Sequence, residues 1–148
     1  MTEILFYHLE QRPLEAVLPI LLEKTLERGW RATIELGTDE AVNELDTKLW
    51  TYSEESFLPH GRGDAEQAQD LPVALVSDNS NPNEAQLRFF AKGAVPSADG
   101  DYQRLVFLFD GHDPEMVTAA RKSWKELSGK HELTYWQQEP NGKWVKKA

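Results

Sequence analysis

The side chains best suited to chemistry in this sequence are four histidines, His8, His60, His112 and His131. Histidine changes charge close to neutral pH and is a common metal ligand. No histidine lies four residues from a second ligand on one predicted helix, and the chain contains no cysteine. The spacing therefore predicts no metal site and no thiolate nucleophile.

The most enzyme-like position is His112 with Asp113, directly after the predicted strand RLVFLFD. Ligands of open α/β sheets bind beyond the carboxyl ends of the strands, so one hypothesis is a small α/β hydrolase or transferase with a cleft near His112, Asp113 and the loop around His60. The structural alternative is that Asp113 caps a helix opening at Pro114. We favour the cap for Asp113 and a structural or interface role for His60.

Phosphate-binding and nucleophile motifs are absent from the sequence. The first predicted strand-to-helix turn, HLEQRPL, has no glycine, and neither G-x-x-x-x-G-K-[ST], G-x-G-x-x-G nor G-x-S-x-G occurs. We therefore expect no cofactor and no catalytic residues. A ligand-binding regulator remains a third, less favoured hypothesis.

Composition bounds the remaining possibilities. With 148 residues, 40% hydrophobic and 28% charged, the chain is expected to form one soluble domain over residues 1–148. The absence of cysteine, of a signal sequence and of an apolar run approaching about 20 residues predicts a cytoplasmic protein that does not enter a membrane.

Charge is distributed unevenly along the chain. The net charge is −9, which predicts no strong direct binding to nucleic acid. Residues 117–148 hold seven basic and three acidic residues, a net charge of +4, against nine basic and 22 acidic, a net charge of −13, before them. This asymmetry distinguishes the C-terminal quarter from the rest of the chain.

Strand and helix patterns alternate along most of the sequence. Apolar or alternating runs predict strands over 3–7, 31–36, 72–76, 87–91, 104–110 and 131–138, with a final hairpin strand over 143–147. Apolar residues at helical spacing predict helices over 14–26, from Thr38 to Leu49 and from Pro114 to Ser128, with Pro19 either kinking the first helix or marking its true start. The order predicts an α/β fold, a three-layer Rossmann-like sandwich with a mostly parallel central sheet.

The last predicted helix separates into two faces. Its buried stripe is predicted to consist of Met116, Ala119, Ala120, Ser123 and Leu127. Val117, Arg121 and Trp124 fall on a second face, with Lys125 one turn after Arg121. A tryptophan beside two cations predicts a binding site on this second face, and the alternative is a solvated basic face with Trp124 half-buried against the terminal strand.

The segment after the second helix, LWTYSEESFLPHGRG, carries more aromatic surface than a loop usually does. With the residues before it, LDTKLWTYSEESFLPHG resembles the chi subunit family of bacterial DNA polymerase III. The resemblance continues through ILFYHL, RGWR, SWKEL and LTYWQQ, and the matching positions of the long motif are Leu45, Asp46, Leu49, Trp50, Ser56, Phe57, Pro59 and His60.

The resemblance implies a non-catalytic accessory subunit of the clamp-loader assembly in DNA replication. Such a protein would bind the psi subunit, or an equivalent protein, on one surface and the acidic C-terminal tail of single-stranded DNA-binding protein on another. The expected psi-binding residues are Trp50, Phe57, Pro59 and His60, unless the two rings fold inward over the sheet. The expected tail-binding residues are Val117, Arg121, Trp124 and Lys125.

Overall fold

The structure, a computed structural model, describes residues 3–10, 12–51, 60–96, 102–141 and 143–147 of the 148. Within these residues, eight strands and three α-helices are present. In chain order they are β1 Glu3–Leu9, α1 Leu14–Glu27, β2 Ala32–Leu36, α2 Asp39–Thr51, β3 His60–Arg62, β4 Val73–Val76, β5 Leu87–Ala91, β6 Arg104–Asp110, α3 Pro114–Leu127, β7 Glu132–Gln138 and β8 Trp144–Lys146. No helix among the described residues is both long and apolar enough to cross a membrane.

The strands form one sheet in the order β3-β4-β2-β5-β6-β1-β7-β8. Every neighbouring pair from β3 to β7 is parallel, and β8 alone runs antiparallel, to β7. The predicted α/β sandwich with a mostly parallel sheet and the predicted terminal hairpin are therefore confirmed.

Both faces of the sheet are buried, as parallel sheets require. On β6, Val106 and Leu108 pack in the core beneath α1 and α2, whereas Leu105, Phe107 and Phe109 pack in a second core beneath α3. We call these the α1 face and the α3 face. The two cores place α1 and α2 on one side of the sheet and α3 on the other.

A buried polar network also lies on the α3 face. Arg88 on β5 is only 3% exposed and donates hydrogen bonds to Glu35 Oε1 at 2.6 Å, to the main-chain oxygens of Ser80 and Asp78 at 2.7 and 2.8 Å, and to Tyr102 Oη at 3.2 Å. The segment predicted only as a turn cluster is therefore tied to the sheet through buried hydrogen bonds.

Two local predictions need revision. Helix α1 begins at Leu14 and continues through a buried Pro19, so Pro19 is not its start. Strand β3 was predicted as loop, because three residues that include a glycine carry too little hydrophobic pattern to predict a strand. It forms an edge strand by pairing with β4.

Candidate protein-binding surfaces

Trp50 lies in the last turn of α2 and is 49% exposed. Val42, Leu45 and Leu49 take the buried side of the helix, so the residue after Leu49 points outward. Its ring centroid lies 4.2 Å from that of His60. The ring therefore keeps about half of its large aromatic surface exposed.

His60 is buried and joins β3 to α2. Its Nε2 donates to the main-chain oxygen of Asp46 at 3.0 Å and lies 3.2 Å from the Asp46 carboxylate. The imidazole therefore supports Trp50 from the side instead of forming part of the exposed surface. Phe57 and Pro59, the other two residues predicted for this surface, lie outside the described residues.

Helix α3 is capped as predicted. Asp113 Oδ1 accepts a hydrogen bond from the Glu115 amide at 3.0 Å, and Pro114 follows at the first helical position. Since the carboxylate is engaged in capping, its position is explained without catalysis.

The buried side of α3 includes Met116, Ala120, Ser123 and Leu127 of the predicted stripe, but it is wider than predicted. Ala120 and Ser123 are buried, and Met116, Val117, Trp124 and Leu127 pack against the core around them. Val117 and Trp124 therefore flank the sheet-facing stripe and do not form a separate outer face, because positions 117, 120, 124 and 127 share one side of a helix.

Trp124 is half-buried between α3 and two strands. Its ring centroid lies 5.2 Å from Phe6 on β1 and 6.0 Å from Tyr135 on β7, at interplanar angles of 70° and 75°. Arg121 and Lys125 are exposed on either side of it in the helix. Val117, Arg121, Trp124 and Lys125 thus meet at one edge of α3, which we call the α3 surface.

A histidine and a tyrosine border the α3 surface and were not predicted as site residues. His8 Nδ1 and Tyr135 Oη share a hydrogen bond of 2.5 Å, and His8 Nε2 lies 3.1 Å from Glu10 Oε1. Burial lowers the pKa of His8, with Glu10 opposing the shift, and burial raises the pKa of Tyr135, with Arg121 opposing it. Strands 127 residues apart supply the pair, so no local sequence pattern could have found it.

A cavity of about 580 Å³ opens at the carboxyl ends of β1 and β6. Here the chain leaves β1 for α1 on one face and leaves β6 for α3 on the other, the arrangement at which α/β folds usually bind ligands. His112 and Asp113 line it, but His112 Nε2 lies 2.8 Å from the Glu10 main-chain oxygen and Asp113 caps α3.

The cavity does not assemble the constellation of the enzyme hypothesis. Its described lining contains no serine, threonine or cysteine. His60 is on β3, four strands from β6 in the sheet order, or about 19 Å at the usual strand spacing. No group of three metal-ligating side chains occurs among the residues the structure describes.

Comparison with known proteins identifies relatives over most of the chain. The sequence profile of the family described as DNA polymerase III chi subunit, HolC, matches residues 1–134. A "Probable DNA polymerase III subunit chi" of Rickettsia prowazekii is 31% identical over 88 residues, 59% of this chain and 53% of that protein. A "DNA polymerase III subunit chi" of Pseudomonas aeruginosa is 27% identical over 128 residues, 84% of this chain and 88% of that protein. The chain thus spans about half the length of the first relative and most of the second.

Among solved structures, the C-terminal domain of the DEAD-box protein Dbp5 is similar, with a TM-score of 0.55 and 14% identity. The alignment covers 92% of this chain and 90% of that one. At this identity the likeness concerns the fold alone.

Proposed function

This chain belongs to the DNA polymerase III chi subunit family, and from that premise we propose that it is a non-catalytic accessory subunit of the clamp-loader assembly. As a single cytoplasmic domain over residues 1–148, it would work with the psi subunit or an equivalent protein. Together they link the assembly to the C-terminal tail of single-stranded DNA-binding protein. The observation that carries the proposal is the α3 surface, where exposed Arg121 and Lys125 flank half-buried Trp124.

The chemistry of the α3 surface suits an acidic peptide that ends in a bulky apolar residue. Val117 and Trp124 offer apolar area against which such a side chain packs. Arg121 presents a planar fork that pairs with a carboxylate through two hydrogen bonds, and Lys125 adds a second positive charge. These cations lie in the C-terminal quarter, residues 117–148, which has a net charge of +4 within an acidic chain.

The proposed psi-binding surface is centred on Trp50. An exposed tryptophan removes a large area from water when a partner covers it, and such rings are common at the centres of interfaces. Phe57 and Pro59 are proposed to extend the surface, and His60 to hold Trp50 in place. Trp50 lies in the last turn of α2, which packs on the α1 face, and the α3 surface lies on the other face of the sheet, so both partners can bind together.

The non-catalytic role is supported by the cavity at β1 and β6. Its histidine and its capping aspartate are engaged with the backbone, and its described lining supplies no hydroxyl or thiol nucleophile. A nucleophile next to a base is the arrangement that hydrolases and transferases with covalent intermediates require.

The direct test is titration of a tail peptide against the wild type and Arg121→Ala. Loss of a charge-assisted contact should weaken binding by about 1–3 kcal/mol. Added salt should weaken wild-type binding further, since the pairing is electrostatic and close to solvent. Isothermal calorimetry at low and high salt measures both effects.

Lys122→Ala is the matched control for this test. It removes one positive charge from an exposed position of the same helix, next to Arg121 but away from Trp124. Its affinity should stay close to that of the wild type. Equal affinities for Arg121→Ala and Lys122→Ala would contradict the proposed tail site.

A further inference from the structure

A second aromatic site lies on the α1 face, opposite the α3 surface. It is a groove of about 370 Å³ between α1 and the β7–β8 hairpin, which we call the aromatic groove. Its rings are Tyr7, Trp136 and Trp144, one from each of the three neighbouring strands β1, β7 and β8. Nothing in the proposed adaptor function uses these residues.

Strand register brings the three rings together. Tyr7 and Trp136 are direct partners of the parallel β1–β7 pair, and Trp144 pairs with Gln138 two residues further along β7. The planes of Tyr7 and Trp136 are nearly parallel, at 14° with centroids 6.5 Å apart, and Trp144 meets Tyr7 edge-on at 5.1 Å. Three adjacent strands thus present aromatic rings side by side on one face.

The charges of the groove are opposite in sign to those of the whole chain. Arg12 and Lys24 line it, and none of the described lining residues is acidic, although the chain has 25 acidic and 16 basic residues. Neither cation forms an ion pair within the described part of the chain. Lys146 is exposed and is the cross-strand partner of Trp136, so it adds a third positive charge on the same face.

One hydrogen-bond donor of the groove rings has no partner among the described residues. Trp136 Nε1 is shielded from solvent and makes no hydrogen bond with any residue that the structure describes. Because solvent does not reach this atom, it is not a contact for a ligand in the groove, and recognition there depends on the rings and the cations.

We propose that the aromatic groove binds one or two unpaired nucleotides of single-stranded DNA. Bases stack on aromatic side chains whatever their sequence, and phosphates pair with nearby cations. Sheets that bind single strands present aromatic rings in this way. An acidic peptide would also satisfy the cations, but parallel ring planes favour flat bases.

Affinity should be low and sensitive to salt. The net charge of −9 opposes DNA as a whole, so binding relies on the groove alone. For single strands the logarithm of the binding constant falls with the logarithm of salt concentration by about 0.7 per cation engaged. If two to three cations contact the strand, the logarithm of the binding constant should fall with the logarithm of salt concentration with a slope of roughly −1.4 to −2.

The experiment measures fluorescence anisotropy of a labelled ten-nucleotide thymidine strand titrated with the full-length chain. Binding is expected for the single strand and not for a duplex of equal length. The double variant Arg12→Ala, Lys24→Ala should weaken binding at least fivefold and reduce the salt slope to about −0.7 or less in magnitude, the contribution of Lys146 alone. Lys122→Ala, on the other face of the sheet, should leave both unchanged.

A substitution that removes one aromatic ring tests whether bases stack in the aromatic groove. Trp144→Leu should weaken binding by about 5- to 150-fold, the range for one stacked base. If Trp144→Leu fails to fold, the charge variant still decides, because Arg12 and Lys24 are exposed. The inference is overturned by three outcomes: no single-strand binding at low salt, an equal loss with Lys122→Ala, or stronger competition by an acidic peptide than by unlabelled strand.

Discussion

At the scale of single residues, His60 and His8 have structural roles. His60 fastens β3 to α2, and His8 bonds to Tyr135 beside α3. His8 also packs against Gly111, where a Cβ atom would come within 2.0 Å of the His8 ring. A glycine is required there by lack of space, and the sequence alone gives no reason for it.

Acid pH should destabilise the protein through His8. Burial lowers its pKa below the ordinary value of 6.5, with His112 and Arg121 acting in the same direction and Glu10 and Asp110 against it. The unfolded chain therefore takes up a proton first as pH falls. The stability from neutral His8 is present above about pH 6.5 and is lost as pH falls through the lower folded pKa.

The prediction is tested with His8→Gln, which cannot titrate. Between pH 7.5 and pH 5.5, the free energy of unfolding measured in urea should fall by more for the wild type than for His8→Gln. Carboxylates titrate in both proteins, so the difference isolates His8. The same loss in both proteins would show that burial of His8 does not influence stability.

Trp50→Ala should weaken binding of the psi subunit or its equivalent by about 2 kcal/mol or more, the effect that defines a binding hot spot. Because the Trp50 side chain is half exposed, Trp50→Ala should lower the free energy of unfolding by less than it lowers the free energy of binding the partner. Pull-down and calorimetry with purified partner measure binding, and a urea titration measures the free energy of unfolding.

Val95→Ala is the control for Trp50→Ala, since Val95 is also a large apolar residue and is 47% exposed. It should bind as the wild type does. If Trp50→Ala binds normally, or loses binding only in proportion to stability, the Trp50 surface is not the psi site.

At the scale of elements, side-chain caps set the starts of α2 and α3. Thr38 Oγ1 accepts from the Ala41 amide at 3.1 Å, as Asp113 accepts from Glu115. These bonds satisfy amides that a helix leaves free in its first turn. The second cap matters for the proposed function, because it fixes where the α3 surface begins.

Asp113→Ala should lower the free energy of unfolding by about 1 kcal/mol, the usual cost of losing a cap. Asp113→Asn keeps an oxygen acceptor at the same position and should lose much less. Urea unfolding of both variants checks this. Equal losses for the two variants would show that the contribution of Asp113 does not come from capping.

At the scale of the whole molecule, the Arg88 network joins β2, β5 and the segment around Ser80. Arg88→Met leaves Glu35 without its partner and should cost about 3 kcal/mol of unfolding free energy, the low end for a broken buried pair. The low end applies because Glu35 is 21% exposed.

Arg62→Met is the matched control for Arg88→Met. Arg62 bonds to Asp39 and Asp64 at 2.5 and 2.9 Å, but both carboxylates are well exposed. Exposed pairs contribute about 0–1 kcal/mol. Chemical unfolding should therefore separate the two variants clearly, and equal costs would mean that burial does not decide the contribution of Arg88.

Much of the fold is determined by the sequence alone. Strands β1, β5 and β6, the cap at Asp113 and the terminal hairpin follow from patterns within a few residues, because hydrophobic period, capping and turn chemistry act locally. The aromatic and basic residues of α3 were likewise visible as candidates, and the motif around Trp50 indicated the family before any coordinates.

Tertiary structure decided what depends on strand order. His8 meets Tyr135, and Tyr7 meets Trp136 and Trp144, only because β1 lies beside β7 and β7 beside β8. Val117 and Trp124 pack toward the sheet because the strands beneath α3 determine how much of the helix surface is buried. Sequence patterns report which residues are buried and in what local form, whereas the contacts between distant segments depend on packing of the whole chain.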